Sequence, residues 1–273
     1  LGGKTAFFKQ PDVNTYGYFT YGQIHRVALL GILGAIMGYG GYNQQRKDKK
    51  HPRNEEAYPE FYEKLTQMKT AITPLNEKGY IPKKMQVFNN SVGYASQEEG
   101  GNLIVQEQWL EDPSWLISIL IETDQDEILA KRLINKKFVY VPYLGKNDHF
   151  ATIDAIHEIQ AEPLDQPGEK HIKINSLFPG KACKKICKPG IMNRHQEPFW
   201  KYEEQLPIAL EKNCNQYIKQ SLMFTNFPIE GTFSSIYQMD YQYYYFCPYK
   251  KGTTQRNTGG TSGKDLPLRA KTD

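Results

Sequence analysis

An apolar stretch near the start of the chain constrains the fold more than any other feature. It runs from Gly22 to Gly41, and between Ile24 and Met37 the sole polar residues are His25 and Arg26. Its length is well short of the roughly 20 apolar residues that cross a bilayer. The stretch therefore predicts a buried helix in a globular chain that has no contact with a membrane.

Three glycines of this stretch would share one face of that helix. Gly31, Gly34 and Gly38 recur at offsets of three and four. A glycine inside a helix costs about 1 kcal/mol relative to alanine, so three of them indicate a close approach. We expect the glycine face to pack flat on a sheet, and Gly38 to end the helix at a C-cap.

The front edge of the helix is a candidate anion site. Unpaired N–H groups and the positive dipole end favour phosphate there, and His25 and Arg26 add polar groups. The aromatic run Tyr16–Tyr21 precedes the helix and could either fill a core or stack on unpaired bases.

Composition limits what charge can say about partners. The chain has 273 residues and a formal net charge of +4, and the segment from Pro248 onward accounts for all of that charge. The net charge is therefore no argument for nucleic-acid binding, and such an argument has to rest on local clusters of basic residues. The chain begins at Leu1, so we expect a few preceding residues, and we expect its four cysteines to be free thiols in a reducing cytoplasm.

Periodicity predicts an α+β fold of the ferredoxin-like or RNA-recognition (βαββαβ) type over residues 1–160. A strand at Gly3–Lys9 precedes the glycine helix. Phe88–Trp109 predicts a long β-hairpin insertion, Trp115–Glu122 a central strand and Asp124–Asn135 a capped amphipathic helix. A strand at Ala151–Gln160 would complete the sheet.

The remainder predicts a smaller α/β extension over residues 161–247 and a disordered basic tail over 248–273. Ala161–Gly190 is rich in proline, glycine and lysine and indicates an irregular linker. Phe199–Phe224 has apolar residues at helical spacing after an interruption at Pro207, and Ser234–Phe246 indicates a strand.

Catalytic and metal signatures are weak. Cys183 and Cys187 are four residues apart and could hold a metal with Cys214 and His195. Their spacing is not that of a zinc knuckle. We therefore expect free thiols, and neither a metal nor a cofactor. A metal-independent ribonuclease needs a base, an acid and a cation, which His149 with Lys146, or His25 with Arg26, could supply.

The sequence resembles the CRISPR-associated Cas-five family, a RAMP-type subunit of Cascade, and within it the type I-B branch. The resemblance rests on GKTAFFKQPDVN followed by ALLGILGAIMG, on the motif from Tyr143 to Lys146, and on KYEEQLPIAL. These stretches span most of Gly3–Phe224. The resemblance implies an RNA-recognition-type domain whose thumb corresponds to the hairpin at 88–109.

The resemblance also implies a role in RNA-guided DNA recognition for antiviral defence. In the family this subunit caps the 5′ handle of the CRISPR RNA and contacts a backbone subunit and the large subunit, and target DNA is reached through the complex. In the type I-C branch it cuts precursor RNA with a lysine–histidine pair near the thumb. Because Ile81–Trp109 contains no histidine here, we expect no cleavage.

Three functional hypotheses follow: a non-catalytic RNA-binding subunit, a metal-independent endoribonuclease that processes precursor CRISPR RNA, and a globular assembly protein whose aromatics are all core. We favour the first, with no enzymatic activity. The residues expected to contact RNA are Lys9, Tyr16, Tyr18, Tyr21, His25, Arg26, Lys84, Asn89, Asn90, Tyr94, Lys146 and Asn147.

Overall fold

The computed structural model describes residues 1–11, 17–45, 58–91, 93–94, 97–99, 101–164, 171–187, 198–212 and 214–248. Within these ranges the protein is an α+β fold with several small antiparallel sheets and few helices. The helices are α1 (Arg26–Met37), α2 (Tyr42–Gln45), α3 (Glu60–Leu65) and α4 (Asp124–Ile134), with short 3₁₀ turns at Glu77–Gly79 and Gly180–Ala182. No helix in these ranges has the length and apolar character needed to cross a membrane.

The strands of the described residues are numbered here in chain order. They are β1 (Thr5–Ala6), β2 (Thr70–Pro74), β3 (Lys83–Asn89), β4 (Ile104–Glu111), β5 (Trp115–Ile119), β6 (Glu162–Pro163), β7 (Phe178–Pro179), β8 (Cys183–Ile186), β9 (Lys201–Leu210), β10 (Tyr217–Thr225), β11 (Ile229–Gly231), β12 (Ile236–Met239) and β13 (Gln242–Tyr245). The first predicted strand, Gly3–Lys9, is thus reduced to Thr5–Ala6, with an isolated bridge at Lys9 and two more at the preceding Gly2.

The predicted glycine helix is present as α1, and it ends at Gly38 in the left-handed conformation (φ 84°). We expected its glycine face to pack on a sheet, and this is wrong, because Gly31 and Gly34 face Phe61 of α3. A Cβ atom at Gly34 would overlap Phe61, whereas one at Gly31 would meet the nearest Phe61 atom at 3.8 Å. The glycine at position 34 therefore lets a second helix approach the backbone of α1.

The sheet behind these helices is assembled from short pieces. Strand β2 pairs with β5 antiparallel, with Ile72 opposite Ile117. Gly2 forms antiparallel bridges to both Ser114 and Thr152, so the N-terminus lies between the start of β5 and Thr152. The strand predicted over Ala151–Gln160 is otherwise irregular. Helix α4 is capped as predicted, with the Thr123 hydroxyl accepting from the Asp126 N–H at 3.3 Å.

The predicted hairpin is confirmed and extends further toward its base than expected. Strands β3 and β4 pair antiparallel from Lys83 opposite Leu110 to Asn89 opposite Ile104. The base of β4 pairs with β1. Further out, the backbone of Tyr18 accepts from Gln108 N and donates to Gln106 O, each at 2.8 Å. The segment around Tyr18 thus adds a neighbour along the free side of β4.

The helix predicted within Phe199–Phe224 is wrong, because β9 and β10 form a long antiparallel pair there. Pro207 cannot donate to a helical ladder. Every residue of β9 from Leu206 to Leu210 is buried, and a bulge at Ile208 interrupts the pairing with β10 there. The predicted linker at Ala161–Gly190 is also not wholly irregular, because it supplies β6, β7 and β8.

One hydrophobic core crosses the boundary predicted at residue 160. Leu30, Leu65 and Trp115 from the first part share a cluster with Leu206 and Leu222 from the second. A smaller cluster around Phe178 and Ile229 lies in the second part, and a third again joins the two parts, with Phe246 packed among residues that include Ala71 and Leu120. Residues 249–273, which make up nearly all of the predicted tail, lie outside the described ranges.

Candidate nucleic-acid interface

Alternation along β3 and β4 gives the hairpin one face rich in aromatic and basic groups. Facing pairs of an antiparallel ladder point to the same side, and Lys84 lies opposite Trp109 while Phe88 lies opposite Val105. We call this side the hairpin face; its residues are Lys84, Gln86, Phe88, Val105, Glu107 and Trp109. Phe88 and Trp109 are both partly exposed, so their rings combine packing with access to solvent.

Lys9 and Tyr18 extend the hairpin face beyond β4. Tyr18 lies beside Glu107 in a parallel bridge, so its side chain points to the same side as that of Glu107. The Lys9 ammonium lies 3.7 Å from the centroid of the Tyr18 ring. Lys9 is exposed and Tyr18 is half-buried. The pair presents a cation and an aromatic ring together, the combination that single-stranded nucleic acid binds through phosphate contact and base stacking.

Lys146 is fixed over the middle of the hairpin face by Glu107. Its Nζ lies 3.2 and 3.3 Å from the two Glu107 carboxylate oxygens and 5.1 Å from the Phe88 ring centroid. Trp109 Nε1 donates to the same carboxylate at 2.9 Å. The Glu107 side chain is 7% exposed, so its charge is compensated by these donors. The second acidic neighbour of Lys146 is Asp148, at 3.5 Å.

A tight backbone approach places Lys146 at this point. Gly145 has φ 92°, and a Cβ there would overlap the Phe7 carbonyl. The backbone of Leu144 accepts from Phe7 N at 3.0 Å, which anchors the turn to the chain that follows β1. The motif from Tyr143 to Lys146 therefore delivers the lysine to the hairpin face, and Asn147 follows it on the exposed side of the turn.

The other predicted residues of the hairpin differ in position and in role. Lys84 forms an ion pair with Glu111 at 2.9 Å. Asn89 points to the opposite side of the hairpin, where its amide donates to Asn102 Oδ1 at 3.2 Å and its oxygen accepts from Ser91 N. Asn90 is exposed near the tip, and Tyr94 is 76% exposed.

The phosphate site predicted at the front of α1 is contradicted by burial. Arg26 is 4% exposed and donates to the carbonyls of Thr66 at 2.6 Å, Met68 at 3.0 Å and Ile208 at 3.4 Å. These carbonyls belong to the α3–β2 connection and to β9, which together cover the helix N-terminus. The guanidinium therefore joins two parts of the chain and is not available to RNA.

His25 and Tyr21 are structural for the same reason. The His25 Nδ1 accepts from Ala28 N at 3.2 Å and so caps α1. Burial lowers the pKa of His25 to about 3, so the ring is neutral near pH 7. Tyr21 is 2% exposed and packs edge-on against His25 with ring centroids 5.2 Å apart. Tyr16, also predicted to contact RNA, lies outside the described ranges.

His149, the candidate base of the nuclease hypothesis, is enclosed beneath the hairpin face. It is 1% exposed, its Nδ1 lies 2.6 Å from Thr5 Oγ1, and its ring meets Trp109 edge-on with centroids 4.6 Å apart. Burial lowers the pKa of His149, which favours the neutral ring. A scissile phosphate on the surface would have no contact with this imidazole.

Of the six residues of the hairpin face, sequence reasoning named Lys84 and missed the other five, which are Gln86, Phe88, Val105, Glu107 and Trp109. The available signal was the period-two pattern of the predicted hairpin, which puts Lys84 and Phe88 on one side. The pairing register, which the sequence does not contain, was needed to bring Trp109 opposite Lys84 and to bring Lys146 onto Glu107.

Comparison with known proteins does not establish the function of this chain, which has to be argued from its own residues. No family model and no curated protein matches the chain. Among solved structures, a chain described as a CRISPR RNA-guided surveillance complex aligns at 12% identity and a TM-score of 0.44, covering 85% of this chain and 89% of that one. A second, described as a Cas protein, aligns at 11% identity and a TM-score of 0.38, covering 85% and 93%. Similarity at this level identifies no family.

Proposed function

We propose that this protein is a non-catalytic, RNA-binding subunit of a CRISPR RNA-guided complex. The observation that carries the proposal is the hairpin face, where Lys9 with Tyr18, and Lys146 with Phe88, pair cations with aromatic rings on one side of a long hairpin. Single-stranded RNA is recognised mainly by stacking on aromatic rings and by contacts to its backbone, and this face offers both.

The more specific proposal is a type I-B Cascade subunit of the Cas-five family that caps the 5′ handle of the CRISPR RNA. Its support is the sequence motifs described above and the neighbour relations of the N-terminal sheet. Thr152, Gly2, the start of β5 and β2 lie side by side, all antiparallel. This order of neighbours supports the proposal of a ferredoxin-like arrangement, in which the hairpin would be an insertion between β2 and β5.

Contacts with a backbone subunit and a large subunit, and through them with target DNA, are part of the same proposal. The side of the hairpin opposite the hairpin face carries apolar groups in solvent: Met85, Val87 and Ile104 are 46%, 62% and 56% exposed. Contiguous exposed apolar residues fit a protein partner better than solvent. One side of the hairpin would thus meet RNA while the other meets protein.

Absence of catalysis is proposed from the environment of the histidines. The hairpin sequence Ile81–Trp109 contains none, and His25 and His149 are buried and neutral. Lys146 is held by Glu107, and His149, the histidine that follows it in the same turn, is buried. Precursor RNA processing is therefore assigned to another subunit.

Handle-RNA binding by a paired set of variants tests the proposal. Lys9→Ala together with Tyr18→Ala should weaken binding of single-stranded handle RNA. The slope of log K against log salt should become shallower by about 0.7 for each phosphate that the variant no longer neutralises. The matched control is Lys64→Ala with Tyr39→Ala, which removes a second lysine–tyrosine pair, at 4.5 Å, away from the hairpin.

Two results would contradict the proposal. Equal affinity in the hairpin variant and in the unaltered protein would remove the hairpin face as an RNA site. Specific cleavage of repeat RNA by the purified protein in EDTA would establish the endoribonuclease instead, and loss of that cleavage in His149→Ala would identify the base.

A further inference from the structure

A second cluster of reactive side chains lies far along the chain from the hairpin, on three adjacent extended segments: the end of β8, β11, and the segment at Ile172 that an isolated bridge joins to β11. The ligand atoms of His171, Cys187 and Glu230 all lie within 4.8 Å of one another. His171 Nε2 donates to Glu230 Oε1 at 2.7 Å, and the Cys187 thiol lies 3.6 Å from the same oxygen. Imidazole, thiolate and carboxylate are the three ligand types that zinc takes from proteins.

The backbone holds these three residues in register. Ile172 and Ile229 exchange both hydrogen bonds of a bridge, at 3.0 and 2.8 Å, and Ile229 lies opposite Ile186 on β8. Cys187 continues that pairing by donating from its N–H to the Pro228 carbonyl at 2.9 Å. Because facing residues share a side, His171, Glu230 and Cys187 converge on one side of this three-strand patch.

The other side of the patch is anchored in a hydrophobic cluster. Ile172 and Ile229 are 6% and 1% exposed, and Ile186 packs against them. The alternation therefore places isoleucines inward and ligand-type residues outward. Because the buried isoleucines hold the backbone in place, the ligand residues lose little conformational freedom when an ion binds.

We propose that His171, Cys187 and Glu230 form a zinc site that clips the three strands together, with water completing the tetrahedron. Zinc bonds of about 2.0 Å to nitrogen and oxygen and about 2.3 Å to sulfur put neighbouring ligand atoms about 3.3 to 3.6 Å apart. The Cys187 and Glu230 atoms already have this separation. His171 would move away from Glu230 by about 0.6 Å, which its exposed position allows.

Protons balance in a simple way on binding. The Cys187 thiol loses its proton to solvent and becomes the thiolate ligand. His171 moves its single ring proton from Nε2 to Nδ1, so that the Nε2 lone pair faces the ion and the ring remains neutral. Glu230 binds as the carboxylate. The two ligand charges then compensate those of Zn²⁺.

The mixed ligand set distinguishes this cluster from an ordinary surface pair. Cys214 offers a comparison within the same chain, because its thiol donates to Glu211 at 2.7 Å. In the described residues no histidine joins that pair in a group of three ligand atoms, so it serves as a matched control. The expectation of no metal from the sequence came from testing the cysteine spacing, whereas this site combines one cysteine with residues 16 positions before and 43 positions after it.

Cobalt substitution tests the site on the full chain, independently of RNA. Protein stripped with EDTA and titrated with Co²⁺ should develop a thiolate-to-cobalt charge-transfer band at one ion per chain, and Zn²⁺ should displace it. Cys187→Ser should abolish the band, and Cys214→Ser should leave it unchanged. His171→Ala and Glu230→Gln should each weaken binding by about tenfold or more, since even changes to residues behind the ligands cost 10- to 100-fold.

Thermal unfolding gives a second measurement. Zn²⁺ should raise the unfolding midpoint of the unaltered protein and of Cys214→Ser, because a ligand that binds the folded state stabilises it, whereas Mg²⁺ should not. Cys187→Ser should unfold at the metal-free midpoint with or without Zn²⁺. The proposal is overturned if no band forms, or if Cys187→Ser and His171→Ala bind cobalt as the unaltered protein does.

Discussion

The polar residues that the sequence suggested as RNA contacts include some on or beside the hairpin face and others that are buried in the core. His25 and Arg26 attracted a phosphate hypothesis because they stand at the polar end of an apolar helix. The sequence could not show that β9 and the α3–β2 connection close over that end. Three carbonyls take the place of a phosphate as partners of the guanidinium.

The buried neutral His25 makes folding stability depend on pH. The unfolded ring has a pKa near 6.5 and the folded ring one of about 3, so the unfolded chain binds the proton first and stability falls as pH falls below about 6.5. We expect a loss on the order of 2 kcal/mol between about pH 7 and pH 5 from this residue.

His25→Asn isolates that effect, because asparagine can still cap a helix but does not titrate. Urea unfolding across this pH range should show a shallower decline in the variant than in the unaltered protein. His149, whose pKa is also lowered by burial, remains in both proteins as a shared background. Parallel pH profiles for the two would show that His25 is protonated equally in both states.

At the scale of elements, the two helices α1 and α4 and the long hairpin were predictable, whereas β9 and β10 were not. A continuous apolar run with glycines at its C-cap marks α1, and amphipathic spacing marks α4. The helix prediction for Phe199–Phe224 was wrong because the apolar residues of this segment fit both a helical and an alternating pattern. Pairing between β9 and β10, a tertiary choice, decided between them.

Glycine-to-alanine changes in α1 separate helix propensity from helix packing. Gly34→Ala should lower the free energy of unfolding by about 1 to 2 kcal/mol, because the added methyl overlaps Phe61 and overpacking outweighs the gain in propensity. Gly31→Ala, where the nearest atom is 3.8 Å away, should raise it by up to about 1 kcal/mol. Denaturant unfolding measures both, and equal effects at the two positions would exclude α3 as the cause.

At the scale of the whole molecule, the core is continuous where the sequence suggested a boundary. Change of composition after Gln160 indicated a linker, and composition carries no information about which side chains meet across it. Leu206 and Leu210 on β9 are fully buried in the cluster that contains α1. The candidate site shows the same division: its lysines and tyrosines were recognisable by type, but their assembly around Glu107 depends on residues distant in sequence.

A fragment of residues 1–160 should therefore not fold independently. Without β9 and β10 it would expose the face of α1 that packs against them, and the Arg26 guanidinium would be without the Ile208 carbonyl. We expect poorly dispersed amide resonances and no cooperative thermal transition from the fragment, against one cooperative transition from the full chain. A fragment with a sharp transition of its own would restore the boundary at residue 160.

The carboxylate of Glu107 has a consequence for how fast a ligand would leave the hairpin face. A free lysine side chain gives up as much as about 2 kcal/mol of rotational entropy when it is ordered. Lys146 is already held by Glu107, and Trp109 is held by the same group, so folding has ordered them before any ligand arrives. Such preorganisation lengthens the residence time of a bound strand more than it speeds encounter.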